Sequence, residues 1–172
     1  MQQVRVLLVA VSLVAGCASQ VPQAIREAPA VSVTVEQVQR QPTGFIGQPV
    51  RWGGTILAVH NRERVTEIEL LARPLSASGE PRTGSSGGGR FLAEIKGFLD
   101  PANYPAKRLL TLAGRLDRVE TRAVGEYPYS FPIVRADTLY LWPEPLPPQY
   151  PYPPYWYDPW YYPWYRPSYY PW

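Results

Sequence analysis

Three features of this 172-residue chain carry side chains able to do chemistry: its one thiol, Cys17, its one imidazole, His60, and a carboxylate pair, Glu67 and Glu69. A thiol can be a nucleophile, a metal ligand, a disulfide partner or a site of acylation. A single Cys excludes an internal disulfide and any multi-Cys metal or iron–sulfur site. A single His excludes His-rich metal chemistry. His60 lies in His60-Asn61-Arg62-Glu63, which reads as an exposed turn between two strands. Glu67 and Glu69 lie two apart, so in a strand they share a face, as an acid–base pair would require. That face alternates with an apolar one, which predicts a solvated pair. No G-x-S-x-G or H-E-x-x-H motif is present. The expectation is no catalytic, metal-binding or cofactor-binding residue, and no enzyme. Fifteen of the 17 basic residues are Arg, scattered among acids, and the net charge is only +3. That excludes a basic arm and predicts no nucleic-acid partner.

Cys17 is different, because its position is informative. Arg5 forms a short positive start and Val6 to Val14 is apolar except for Ser12. So short a run cannot span a bilayer, which needs about 20 residues, but it suits the apolar region of a secretory signal. Val14-Ala15-Gly16-Cys17 then resembles the bacterial lipobox. That resemblance implies a diacylglyceryl group on the Cys17 thiol, cleavage before Cys17 and acylation of the new amino terminus, with palmitate among the acyl chains. Two or three acyl chains hold a protein to a membrane almost permanently, since burial contributes about 0.8 kcal/mol per CH₂. Enterobacterial lipoproteins kept in the inner membrane usually carry Asp after the Cys. Ala18 stands there, which implies the outer membrane. The only cofactor expected is this covalent lipid.

The elements that must carry such an anchor follow. Residues 1–16 are the signal, and 17–33, with Pro22 and Pro29 and no period, read as a lipidated tether. Residues 34–142 read as one domain. Thr34-x-x-Gln37 has capping-box spacing, and Pro42 ends a helix of one or two turns. Period-two alternation then marks strands near 50–58, 66–72, 91–96, 110–117 and 131–142. Gly53-Gly54 suggests a bulge or tight bend, and Pro132 an edge or the start of a strand. The fold class expected is mostly β: a small five- to six-stranded OB-like barrel with one short N-terminal helix. An immunoglobulin-like sandwich is the runner-up. Ser76 to Gly89 reads as a flexible hairpin connection. Gly97-Phe98-Leu99-Asp100-Pro101 to Tyr104 reads as a segment packed over one end of the barrel.

Residues 143–172 form a separate tail. They hold 11 Pro, 9 Tyr and 4 Trp, and 13 of the 23 aromatic residues of the chain. Pro at this density forbids continuous helix or sheet, so an extended or disordered low-complexity segment is expected. Three uses compete for it: contact with the membrane interface, binding of an envelope glycan or protein, and no ligand at all.

Gly44-Phe45-Ile46-Gly47-Gln48 before Val50-Arg51-Trp52-Gly53-Gly54 is followed by Gly97-Phe98-Leu99-Asp100-Pro101, Leu110-Thr111-Leu112-Ala113-Gly114 and Tyr127-Pro128-Tyr129. With the lipobox and the aromatic tail, this order resembles the Slp family, the starvation-inducible outer-membrane lipoproteins of Gram-negative bacteria. The resemblance implies lipid anchoring to the outer membrane and a non-enzymatic structural or interaction role linked to starvation or stress; the side expected for the domain is the periplasmic face. Only Cys17 transfers as a functional position. The alternative is an envelope binding module that recognises an oligosaccharide or peptide through the barrel face and the aromatic tail.

Overall fold

The computed structural model describes residues 19–85 and 87–144. The signal segment, Cys17 and the tail from residue 145 onward lie outside the described residues. Two short helices come first, α1 (Gln23–Arg26) and α2 (Val35–Arg40). The strands are β1 (Pro49–Asn61), β2 (Val65–Ala72), β3 (Arg90–Lys96), β4 (Leu109–Val124) and β5 (Tyr127–Leu141), with a 3₁₀ turn over Pro101–Asn103 before β4. The strands close in the order β1-β2-β3-β5-β4, so that β4 returns to β1. Every pair is antiparallel except β3 with β5. The result is mostly β, with five strands.

The α2 helix forms where its capping signal predicts. The Thr34 hydroxyl accepts from the Gln37 amide, and the Gln37 side chain accepts from the Thr34 amide at 2.8 Å. Both orphan donors are thereby satisfied. Val35 and Val38 are then buried against the barrel interior. The α1 helix was not expected. It lies in the segment read as a tether, and a single helical turn is too short to show a period. Ile25 is fully buried there, and Arg51 Nη1 donates to the carbonyls of Ile25 and Arg26 at 2.9 and 2.8 Å. The described part of that segment therefore lies along the barrel instead of standing off from it.

The β1 strand pairs with β4 over Pro49–Thr55 and with β2 over Gly54–Asn61, so it closes two edges at once. Gly53 and Gly54 sit at this crossover. No register shift occurs at them; the irregularity falls between Ile56 and Ala58, at Leu57. What the pair provides is close approach. A Cβ on Gly53 would lie 2.7 Å from Thr111 Oγ1 and 2.8 Å from Leu75 Cδ2, and one on Gly54 would overlap the Leu71 carbonyl. The bulge expectation is thus displaced by three residues, and the glycines answer crowding, the other use of strand Gly.

Inside the barrel, Trp52 meets Phe91 edge to face at 5.2 Å, among Ile56, Ile68, Leu70 and Leu112. The β4–β5 hairpin is longer than its hydrophobic pattern suggested. It runs from Leu110 opposite Leu141 to Val124 opposite Tyr127, with Gly125 at φ 62° in the two-residue turn. Pro132 sits where β5 has not yet met β3, which pairs only with Ile133–Arg135. Its missing N–H therefore costs no bond to that neighbour.

Candidate functional site

The amino-terminal segment, the start of β1 and the end of β2 enclose a cleft of about 390 Å³. Val33, Val35, Trp52, Ala72 and Leu75 give it apolar walls, and Arg51, Arg73 and Glu36 give it charge. The indole N–H of Trp52 does not face a ligand, because it donates to the Val33 carbonyl at 2.6 Å. That bond fixes the segment that forms one wall. Gly87 and Gly88 form part of another, where a Cβ would meet Leu71 and the Glu36 carboxylate. Arg73 donates from Nη1 to the Ser85 carbonyl, while its buried Nε finds no hydrogen-bond partner among the described residues. A buried N–H without an acceptor is costly and therefore uncommon.

The cleft depends on the loop after β2. A flexible connection was expected over Ser76–Gly89, but its described residues are bonded onto the barrel. Leu75 bridges Pro81, Ser76 N donates to the Glu80 carbonyl, and Gly88 N donates to the Ala72 carbonyl. Thr111, fully buried, donates its hydroxyl to the Gly79 carbonyl at 2.7 Å and accepts from the Trp142 indole at 2.9 Å. One hydroxyl thus joins the loop, β4 and the end of the barrel domain. The sequence signal was the Gly content, which suits close contact as well as freedom.

A second constellation covers the outside of β2 and β3. Glu67 was expected to be solvated, yet it is 5% exposed. The far half of the β4–β5 hairpin folds over it. Arg122 reaches both Glu67 oxygens at 3.0 and 3.2 Å, and Arg62 reaches Oε2 at 3.1 and 3.2 Å. Glu69 does not join it there; it pairs with Arg90 at 2.9 Å. Arg118 likewise grips Glu94 and Asp117. The Arg122 hydrogen bond, followed by that of Arg62, outweighs burial and holds the Glu67 carboxyl below the usual carboxylate range. Arg122 lowers Glu120 in the same way. The carboxylates Glu67 and Glu94 each serve two or more basic hydrogen bonds. Such an array fastens a hairpin to a sheet and keeps Glu67 ionised, whereas a general acid needs a raised pKa.

His60 is exposed near the end of β1, opposite Glu67 in the ladder, not in the turn, which falls at Arg62–Arg64. Phe98 also departs from expectation. Leu99 and Tyr104 pack against the core, but Phe98 is 72% exposed. Thr66 binds the Gly97 carbonyl and the Leu99 amide, which turns the intervening side chain outward. Among the described residues no group of three or more His, Cys, Asp or Glu could hold a metal, and no helix is long and apolar enough to cross a membrane. Cys17 lies outside the described residues, so the structure leaves its lipid as a sequence expectation.

The family model described as "Outer membrane lipoprotein Slp family" matches residues 14–170. The chain belongs to the Slp family. The match starts within the lipobox and runs through the barrel into the tail. An uncharacterized lipoprotein of Escherichia coli K12, YeaY, is 31% identical over 87% of this chain and 76% of its own length. Outer membrane protein Slp of the same organism is 29% identical over 79% of this chain and 73% of its own. An uncharacterized protein of Haemophilus influenzae is 33% identical over 54% and 51%. Among solved structures, Schizosaccharomyces pombe Pot1pC bound to single-stranded DNA aligns over 59% of this chain and 81% of that chain, at 12% identity and a TM-score of 0.28. At that TM-score the likeness carries no conclusion on fold or ligand. Slp-family membership places the chain among outer-membrane lipoproteins.

Proposed function

We propose that the chain is anchored by lipid on Cys17 to the periplasmic face of the outer membrane, and that it works there by contact and not by catalysis. The observation that carries the reading is the apolar cleft beside an amino-terminal segment that is itself fastened to the barrel by Arg51 and Trp52. The described amino-terminal segment that follows the expected anchor and the contact surface are thereby joined in one unit. The barrel is of the OB type on this reading, supported by its closed order and its one parallel pair, β3 with β5. The ion pairs over β2 and β3 serve as fasteners. A role in starvation or stress is part of the proposal through the family resemblance alone.

Protease added to intact cells tests the orientation. The protein resists digestion until the outer membrane is permeabilised. Digestion in intact cells would place the barrel on the outer surface instead.

The cleft also favours a second reading, recognition of an oligosaccharide or peptide by the barrel face together with the aromatic tail. Deletion of residues 143–172 followed by pull-down on peptidoglycan and on lipid vesicles separates the two. Glycan binding that is unchanged by the deletion, or absent in both proteins, would remove the tail from glycan recognition.

A further inference from the structure

We propose that segment 97–107, at one end of the barrel, is a second membrane contact: Phe98 enters the bilayer interface while Arg64, Lys96 and Lys107 meet lipid phosphates. The inference goes beyond the reading above. It rests on membership among outer-membrane lipoproteins, and not on the lipid or on the cleft.

The first support is the way Phe98 is held out. Among the described residues it is the most exposed large apolar side chain. A loose loop does not explain this, because both neighbours are fixed. Gly97 N donates to the Arg64 carbonyl at 2.9 Å, and Leu99 N donates to the buried Thr66 hydroxyl at 3.0 Å. Asn61 Nδ2 donates to the Leu99 carbonyl at 3.1 Å, and the Leu99 side chain packs against the core. Gly97, at φ 89°, makes the turn between them. Pro101, Ala102, Pro105 and Ala106 are exposed as well, so the ring belongs to an apolar stretch and is not a lone surface residue. The segment lines no part of the cleft. It offers a projecting ring to a soft surface, not a socket to a ligand.

The second support is charge. Lys96 and Lys107 are the only lysines of the chain, and they bracket the exposed stretch. Lys96 stands opposite Val65 in the ladder, next to Arg64. Arg64, Lys96 and Lys107 are exposed, and none makes a side-chain hydrogen bond or ion pair among the described residues. Elsewhere in those residues only Arg40 and Arg82 share this; the other arginines are bonded to carboxylates or carbonyls. The acids of this end are Glu63 and Asp100, and Asp100 turns back to accept from the Ala102 amide. A ring at headgroup level with unpaired cations around it suits a phosphate-lined interface. One ring and three cations hold a protein only weakly, so the contact acts on a chain that is already attached. Arg51 ties the amino-terminal segment to the first half of β1, whereas the Phe98 loop is bonded to Asn61 at its far end. Two contacts set apart in this way fix the tilt of the barrel on the membrane.

A fluorescent amino acid at position 98 tests this in the full-length protein, reconstituted in vesicles of phosphatidylethanolamine and phosphatidylglycerol. Floated vesicles carry only attached protein, and the intact mass reads lipidation of Cys17 separately. The control is the same substitution at Tyr127, which is also exposed and begins β5. Because β5 runs parallel to β3, Tyr127 lies at the opposite end of the barrel from the loop that follows β3. The expected result is severalfold quenching at 98 by lipids brominated near the headgroup and little at 127, with iodide in the water giving the reverse. Combining Arg64→Gln, Lys96→Gln and Lys107→Gln should cut the lipid quenching at 98 severalfold, while an unchanged thermal melt shows that the barrel is intact. A position 98 as open to iodide as 127, equal lipid quenching at both, or lipid quenching that survives loss of the three charges would each overturn the proposal. So would shielding of 98 that arises in cell envelopes but not in the vesicles, since it would name a protein or glycan as the partner.

Discussion

Replacing Glu67 by Gln removes a charge that two arginines, Arg62 and Arg122, were folded around. The carboxylate side chain is 7% exposed, Arg122 29% and Arg62 57%. An exposed pair of this kind is worth about 0–1 kcal/mol, whereas breaking a buried one costs about 3–5 kcal/mol. Glu67 is buried, but its partners are partly hydrated, so about 2 kcal/mol lies between those limits. For a domain of this size that corresponds to a fall in Tm of about 6–10 °C. Arg122→Met should lose a similar amount, and the double variant less than the sum, because the two residues share one interaction. The pH dependence follows from the sign of the shift. The folded Glu67 pKa is depressed. Its contribution is therefore complete above the unfolded value of about 4.3 and is lost as pH falls through the lower folded value. Melts of wild type and Glu67→Gln should differ fully at pH 7 and converge on acidification below about pH 4. A gap that is absent at pH 7, or that persists undiminished in acid, would refute the claim that this ion pair fastens the hairpin.

Two further substitutions test local geometry. Gly54→Ala places a Cβ against the Leu71 carbonyl and 2.7 Å from its carbon, so it should cost about 1–3 kcal/mol in denaturant melts, while Gly84→Ala, with open space around it, should be neutral or slightly stabilising. Thr34→Ala removes the capping hydroxyl of α2 and should cost about 1 kcal/mol, with amide exchange at Gln37 accelerated first.

What the sequence made legible was local. Thr34 and Gln37 announce a cap because both partners lie within one turn. The strands near 66–72 and 91–96 appear because alternation reports a half-buried face. Failures come from contacts with distant chain. Glu67 has the right face for solvent, and only a hairpin arm 55 residues away covers it. That arm was missed because Arg118–Val124 puts charge on its inner side, where the pattern expects apolar residues. The Gly53-Gly54 pair shows that something is close, but not whether it is a bulge or the Leu71 carbonyl. The cleft has no sequence signature, since Val33, Trp52 and the Ala72–Leu75 stretch come from three separate places. Cys17 is legible for the opposite reason. Its resemblance to a lipobox lies in four contiguous residues, 14–17, so no fold is needed to see it.

The most direct test of the account is acyl labelling combined with membrane fractionation of wild type and Cys17→Ser. The account predicts labelled palmitate in wild-type protein in the outer-membrane fraction, with both the label and the membrane attachment lost in the Ser variant. A Cys17→Ser protein that still fractionates with the outer membrane, or a wild type that takes up no label, would contradict it.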